Sequence, residues 1–122
     1  MAVLVFDVNY LKQINDRNGH LAGDILIRKA AECIRECFSS ERGDNCYRIG
    51  GDEFAAVLRG CDETEIKTRL KRFALAQERE SISISVGYGF ARRTNEDSFK
   101  KLFAEADRQM YIKKQKVHEL SK

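Results

Sequence analysis

The sequence predicts an α/β sandwich of the α+β type: one central sheet, mixed but mainly antiparallel, flanked by helices. Three observations carry that prediction. The apolar run Val3-Leu4-Val5-Phe6-Asp7-Val8-Asn9 reads as a buried strand that delivers an acid to its C-terminal edge. Two further strand-like segments, residues 45–49 and 54–58, are separated only by Gly50-Gly51-Asp52-Glu53, which makes them a β-hairpin with acids at its tip. Ile82, Ile84, Val86, Tyr88 and Phe90 alternate with Ser and Gly, the period-two signature of a half-buried strand.

The elements fall in the order βααββαβα. After the first strand, residues 10–17 can form a short helix, which Asn18-Gly19 stops. Residues 22–38 make a longer amphipathic helix, with Ile25, Leu26, Ala30, Cys33, Ile34, Cys37 and Phe38 near helical spacing. The hairpin follows, then a helix over residues 63–76 with Ile66, Leu70 and Phe73 on one face. Ser98 is the N-cap expected for the last helix, which turns Phe99, Leu102, Phe103, Ala106, Met110 and Tyr111 inward.

A chain of 122 residues corresponds to one domain, and it has no proline, repeat or linker-like tract. No apolar run approaches the ~20 residues that span a bilayer, and no signal peptide precedes the first strand, so a cytoplasmic domain without membrane contact is expected. The full-length protein is free to be membrane-anchored elsewhere. A net charge of +3, with the basic residues scattered, gives no support to a nucleic-acid face. Cys33, Cys37, Cys46 and Cys61 lack metal-ligand spacing and read as reduced, partly buried structural thiols.

The chemistry concentrates in Arg48-Ile49-Gly50-Gly51-Asp52-Glu53-Phe54. Two glycines let a bulky ligand lie against the main chain, and two carboxylates follow, the usual provision for hard divalent cations that carry nucleotide phosphates. A lone Gly-Gly-Asp is a common turn, but the five-residue string ending at Phe54 arises by chance in only ~1 of 10⁴ chains this long. Asp7 is either a helix N-cap or a metal ligand. With the first strand beside the hairpin, Asp7 and Asp52 approach each other, and Mg²⁺ relieves the repulsion of such a pair. Lys12 reads equally as a solvated helix lysine or a phosphate contact. Asn15-Asp16 and Gly23-Asp24, as bare residues, are turn and cap residues.

Residues 6–16, then Gly19-His20, Gly23-Asp24, residues 48–54, Ala106-Asp107, Met110-Tyr111 and Lys114 together strongly resemble the GGDEF-domain family, in the family's order and over nearly the whole chain. That resemblance implies a fold similar to nucleotidyl cyclases and polymerase palms. It also implies a diguanylate cyclase joining two GTP molecules into cyclic di-GMP, with Mg²⁺ or Mn²⁺ as cofactor, two ions per active site. Asp7, the backbone carbonyl of Val8 and Asp52 would bind metal, and Asp52 would accept the hydroxyl proton, with Glu53 as a neighbouring acid. Gly50 and Gly51 would leave room for the nucleotide, and Lys12 and Lys114 would reach its phosphates. Asn15, His20 and Asp24 align with the guanine-binding positions, where a carboxylate can accept from the N1–H and N2–H₂ edge that adenine lacks.

Catalysis would require a homodimer, transient in this chain, and a sensory domain elsewhere in the protein. Three departures from the family pattern stand out. The chain runs directly into the first strand, without the N-terminal helix usual before it. Glu41-Arg42-Gly43-Asp44 carries Glu41 where the family's product-inhibition motif has Arg, so weak product inhibition is expected. His118 stands where a phosphate-binding Arg is common. The alternative reading is a weak or inactive domain that binds GTP as a regulatory or dimerisation module. A polymerase palm would need a template-binding surface that the sequence does not offer.

Overall fold

The structure, a computed structural model, describes residues 1–39 and 45–120. Eight elements follow the expected order: β1 Ala2–Val8, α1 Leu11–Asn18, α2 His20–Phe38, β2 Asn45–Arg48, β3 Glu53–Leu58, α3 Glu63–Glu80, β4 Ile84–Phe90 and α4 Ser98–Leu120. The Glu41-Arg42-Gly43-Asp44 segment lies outside the described residues.

The strands form one sheet in the order β2-β3-β1-β4, and all three pairings are antiparallel. β1 is therefore central, and each of its seven residues is buried, Asp7 included, as the apolar run that surrounds that acid requires. Period-two alternation divides the strand between two layers. Leu4, Phe6 and Val8 join the larger core beneath α2 and α3, where the rings of Phe6, Phe38 and Phe73 pack with centroids 5.3–5.4 Å apart. Val5 faces the other side, against Ala106 and Met110 of α4. Asp7 shares the parity of Val5, which directs it to the α4 side of the sheet.

Glycine permits α4 to lie close. A Cβ on Gly87 would come within 2.1 Å of the Ala106 carbonyl oxygen, and one on Gly89 within 2.4 Å of the Leu102 carbonyl oxygen. The "Ser and Gly" face of β4 is thus a packing surface for helix backbone as well as a polar one.

Element ends differ from the sequence-based expectation for local reasons. α2 begins at His20, two residues early, because Gly19 at φ 87° ends α1 and opens α2 without a connecting loop. α3 continues through Gln77, Glu78, Arg79 and Glu80, all good helix formers, until Ser81 adopts a left-handed conformation at φ 56°. Its start is fixed by Asp62, whose side chain accepts the Glu65 N–H at 2.8 Å. Ile82 donates its N–H to Gln77 O at 3.0 Å and so closes the helix rather than opening β4, which starts at Ile84.

Candidate active site

The antiparallel register assembles the acidic residues. Asp7 in β1 lies opposite Glu53 at the start of β3 and opposite Ser85 in β4. The hairpin tip is tied to β1 by the Val8 N–H, which donates to Asp52 O at 2.8 Å. Asp7, Val8, Asp52 and Glu53 therefore meet at one edge, although the first pair and the second come from opposite ends of the chain's first half.

Lys114 of α4 joins them from a distant part of the sequence. Asp7 is 5% exposed, and its Oδ1 is fully buried. What faces that oxygen is the Lys114 ammonium, 2.6 Å away, which also lies 3.9 Å from Asp52 Oδ2. Two carboxylates thus converge on one cation. Burial pushes the Asp7 carboxyl above its ordinary range and nearby Asp52 adds to the rise, while Lys114 opposes it. Burial raises Glu53 as well, with the negative charges of Asp7, Asp107 and Asp52 adding to it.

Asn9 extends the site inward. It is buried, and its Nδ2 donates to Ser83 Oγ at 2.9 Å and Ser85 Oγ at 3.1 Å, while its backbone N–H donates to Ser83 O at 2.9 Å. This network fixes the chain just after Val8, where Tyr10 turns through φ 67° into α1. A left-handed tyrosine costs about 1–2 kcal/mol, so the surrounding bonds must hold it.

The residues aligned with guanine binding gather separately. Asn15 of α1 packs against α2 at Gly23, where a Cβ would stand 1.8 Å from Asn15 Oδ1. That Oδ1 is buried and has no hydrogen-bond partner. Asp24 and His20 are exposed on α2 beside it. Lys12 is exposed on α1 and makes no ion pair among the described residues. His118, near the end of α4, is exposed too. A groove of about 470 Å³ between α2 and β2, lined in part by Ile27, Arg28, Arg35, Tyr47 and Phe54, contains none of the expected site residues.

Sequence reasoning missed Asn9, Ser83 and Ser85 as a unit, and it treated Arg48 only as part of a motif. The alternating serines of residues 81–85 were the available signal for the first. For Arg48 there was none, because its partners are backbone carbonyls.

Comparison with known proteins shows the family and the fold. The family model described as "Diguanylate cyclase, GGDEF domain" matches residues 1–119. Diguanylate cyclase DosC of Escherichia coli K12 is 33% identical over 95% of this chain, which covers 26% of that protein. Among solved structures, the GGDEF domain of PA1120 (YfiN or TpbB) from Pseudomonas aeruginosa superposes with a TM-score of 0.80 and 30% identity over 94% of this chain and 76% of that one. The GGDEF domain of DgcB from Caulobacter crescentus, solved in complex with c-di-GMP, gives a TM-score of 0.79 and 25% identity over 93% of this chain and 71% of that one. The chain spans between about a quarter and a third of the length of the curated relatives it matches. With the family model covering nearly every residue and the acidic hairpin in its expected place, the chain belongs to the GGDEF diguanylate cyclase domain family.

Proposed function

We propose that this domain condenses two GTP molecules into cyclic di-GMP and two pyrophosphates. The observation that carries the reading is the convergence of Asp7 and Asp52 on a single cation, the Lys114 ammonium. Two carboxylates so placed favour a divalent ion, and the ammonium marks where positive charge is already stabilised.

The donor set fits Mg²⁺ or Mn²⁺. Among the described residues, no three His, Cys, Asp or Glu side chains gather into a closed cage. Two carboxylates and the Val8 carbonyl would instead leave positions for phosphate oxygens, as hard cations at nucleotide sites require. When bound, two such ions would neutralise the triphosphate and lower the pKa of the attacking hydroxyl.

The chain's own residues supply the rest. Asn15 offers a buried, unpartnered oxygen and Asp24 an exposed carboxylate, with His20 beside them, to hold guanine. Lys114 and Lys12 take the phosphates. The 3′-hydroxyl of one GTP attacks the α-phosphorus of the other. The new P–O bond forms as the bond to the β-phosphate bridging oxygen breaks, and pyrophosphate leaves. Asp52 receives the hydroxyl proton, and Glu53, whose pKa is raised by burial and neighbouring charge, supports it. The reaction then repeats reciprocally across a homodimer.

The direct test is incubation with GTP and Mg²⁺ followed by chromatography for cyclic dinucleotide. Wild-type protein should form it and Asp52→Ala should not, while both keep the same circular dichroism. Equal product from the variant would overturn the assignment. Binding of GTP without any product would favour a regulatory module instead.

A further inference from the structure

The glycines of the hairpin tip have no side-chain packing around them. A Cβ built on Gly50 or Gly51 would find no atom within 4 Å. Glycine also has the most backbone freedom to lose, so a bare Gly-Gly turn would wander. Yet Asp52 follows directly, and a reacting carboxylate must be held to within about half an ångström.

Backbone bonds fix only the base of the turn. The Ile49 and Gly50 N–H groups both donate to Glu53 O, at 2.9 and 3.3 Å, and the Val8 N–H donates to Asp52 O. These leave two peptide planes unheld, Gly50–Gly51 and Gly51–Asp52. Arg48 holds them. Its Nε donates to Gly50 O at 3.1 Å and its Nη2 to Gly51 O at 2.7 Å. A solvated arginine would leave this rigid fork of donors to water, whereas here it spans two successive carbonyls.

The orientation has a chemical consequence. No peptide bond is cis, so each N–H points opposite the carbonyl of its own peptide. With both carbonyls turned toward Arg48, the N–H groups of Gly51 and Asp52 turn away from it. Neither has an acceptor among the described residues. Two adjacent, preorganised amide donors beside a carboxylate are suited to an anionic oxygen.

We infer that Arg48 is a positioning residue: it locks both glycine peptides, aims the Asp52 carboxylate, and presents the Gly51 and Asp52 N–H groups to a phosphate oxygen of bound nucleotide. It acts through the backbone and does not touch substrate. The inference rests on the diguanylate cyclase reading for its kinetic consequence, but its structural content stands apart from it.

The test compares wild type, Arg48→Ala and Arg48→Lys, with matched circular dichroism as the control for folding. In Arg48→Ala, ¹⁵N relaxation should show Gly50, Gly51 and Asp52 losing order while the rest of the sheet keeps it. The kcat for cyclic dinucleotide formation should fall roughly tenfold to a hundredfold, more than KM for GTP rises. Added guanidinium at non-denaturing concentration should restore part of the loss. Arg48→Lys, which keeps the charge but not the fork, should stay impaired. Unchanged order at the tip in Arg48→Ala would overturn the brace, as would wild-type kcat in Arg48→Lys. Should the wild type form no product at all, the proposed activity fails, and the relaxation measurement alone decides the role of Arg48.

Discussion

The Lys114 ammonium lies 2.6 Å from the buried Asp7 carboxylate and 3.9 Å from that of Asp52, so α4 closes over the acidic edge of the sheet with its own cation. An ammonium and a divalent ion cannot both sit between these two carboxylates, because like charges a few ångströms apart repel by several kcal/mol even at an effective dielectric near 20. On the proposed reading, a divalent ion entering here would have to move Lys114, and the freed ammonium would then be placed to meet a triphosphate.

Lys114→Met should consequently have opposite effects on the two ligands. Without nucleotide, Mn²⁺ should bind at least about tenfold more tightly, the factor given by ~1.4 kcal/mol of relieved repulsion. GTP affinity should fall. Electron paramagnetic resonance titration of Mn²⁺ and calorimetry with GTP would measure each. Weaker Mn²⁺ binding in the variant would show that Lys114 does not compete for the site.

Gly23→Ala should spare the fold and damage guanine binding. The added methyl would collide with Asn15 Oδ1 at 1.8 Å and press Leu11 Cδ1 at 3.2 Å, both the ends of side chains that can turn aside. A stability loss of about 1–2 kcal/mol is expected by denaturant titration. Displacing Asn15 should lower GTP affinity about tenfold. Asp24→Ser should instead relax selectivity, admitting ATP in a mixed-nucleotide assay. Unchanged GTP affinity in Gly23→Ala would remove Asn15 from the site, and unchanged GTP affinity with ATP still excluded in Asp24→Ser would remove Asp24.

Gly87→Ala makes the opposite prediction. Its methyl would meet backbone, the Ala106 carbonyl oxygen at 2.1 Å and the Met110 nitrogen at 2.5 Å, and a helix cannot step aside as a side chain can. A loss of about 3 kcal/mol, read as a melting temperature lower by more than about 10 °C, should result. A shift of only a degree or two would mean that α4 is free to retreat from the sheet.

Much of this was legible in the sequence because it is local. Glycines and acids between two strand-like runs define a hairpin whatever surrounds them, and the apolar run around Asp7 identifies a buried strand. The ion pair of Lys114 with Asp7 was not legible, since resemblance implied a phosphate contact and the pairing depends on how α4 crosses the sheet. The Asn9, Ser83 and Ser85 network was hidden for a similar reason: it exists only through the register of β1 against β4. The start of α2 and the end of α3 were misplaced because Gly19, read only as a stop, also opens the next helix, and because Ser81 caps α3 in a way that composition does not reveal.

Alkaline pH should weaken the domain through its buried thiols. Burial pushes Cys33 and Cys37 above the ordinary thiol value of 9.0, and the Cys33 thiol also faces Ala76 O at 3.9 Å. The sign follows from linkage. Well below pH 9 the thiols are protonated in both states and contribute no pH dependence. Above it the unfolded thiols release protons that the native ones retain, so stability falls as pH rises through that range. Cys33→Ala/Cys37→Ala should flatten that decline relative to neutral pH, and Ellman titration of the native protein at neutral pH should leave both residues unmodified. Rapid labelling of either would contradict their burial.

Assembly provides the last prediction. One domain presents one acidic hairpin, yet a cyclic dinucleotide requires each of two α-phosphates to be attacked by the other nucleotide's hydroxyl. The proposed reaction would therefore need two domains to meet with their sites facing in an approximately two-fold arrangement. The sequence has no sustained heptad seam to hold them, so the pair should form around substrate from a mainly monomeric chain. Leu21 and Ile25, exposed on α2 on either side of Asp24, are too small a patch to sustain a stable dimer alone. Activity per molecule should therefore rise with protein concentration in the micromolar range, as mass action dictates. A dimerising coiled coil fused before Met1 should raise it further at low concentration and abolish most of the dependence. Sedimentation velocity at the assay concentrations completes the test. Product formed at a constant rate per molecule on dilution, by a protein that sediments as a monomer with GTP present, is incompatible with reciprocal attack between two domains.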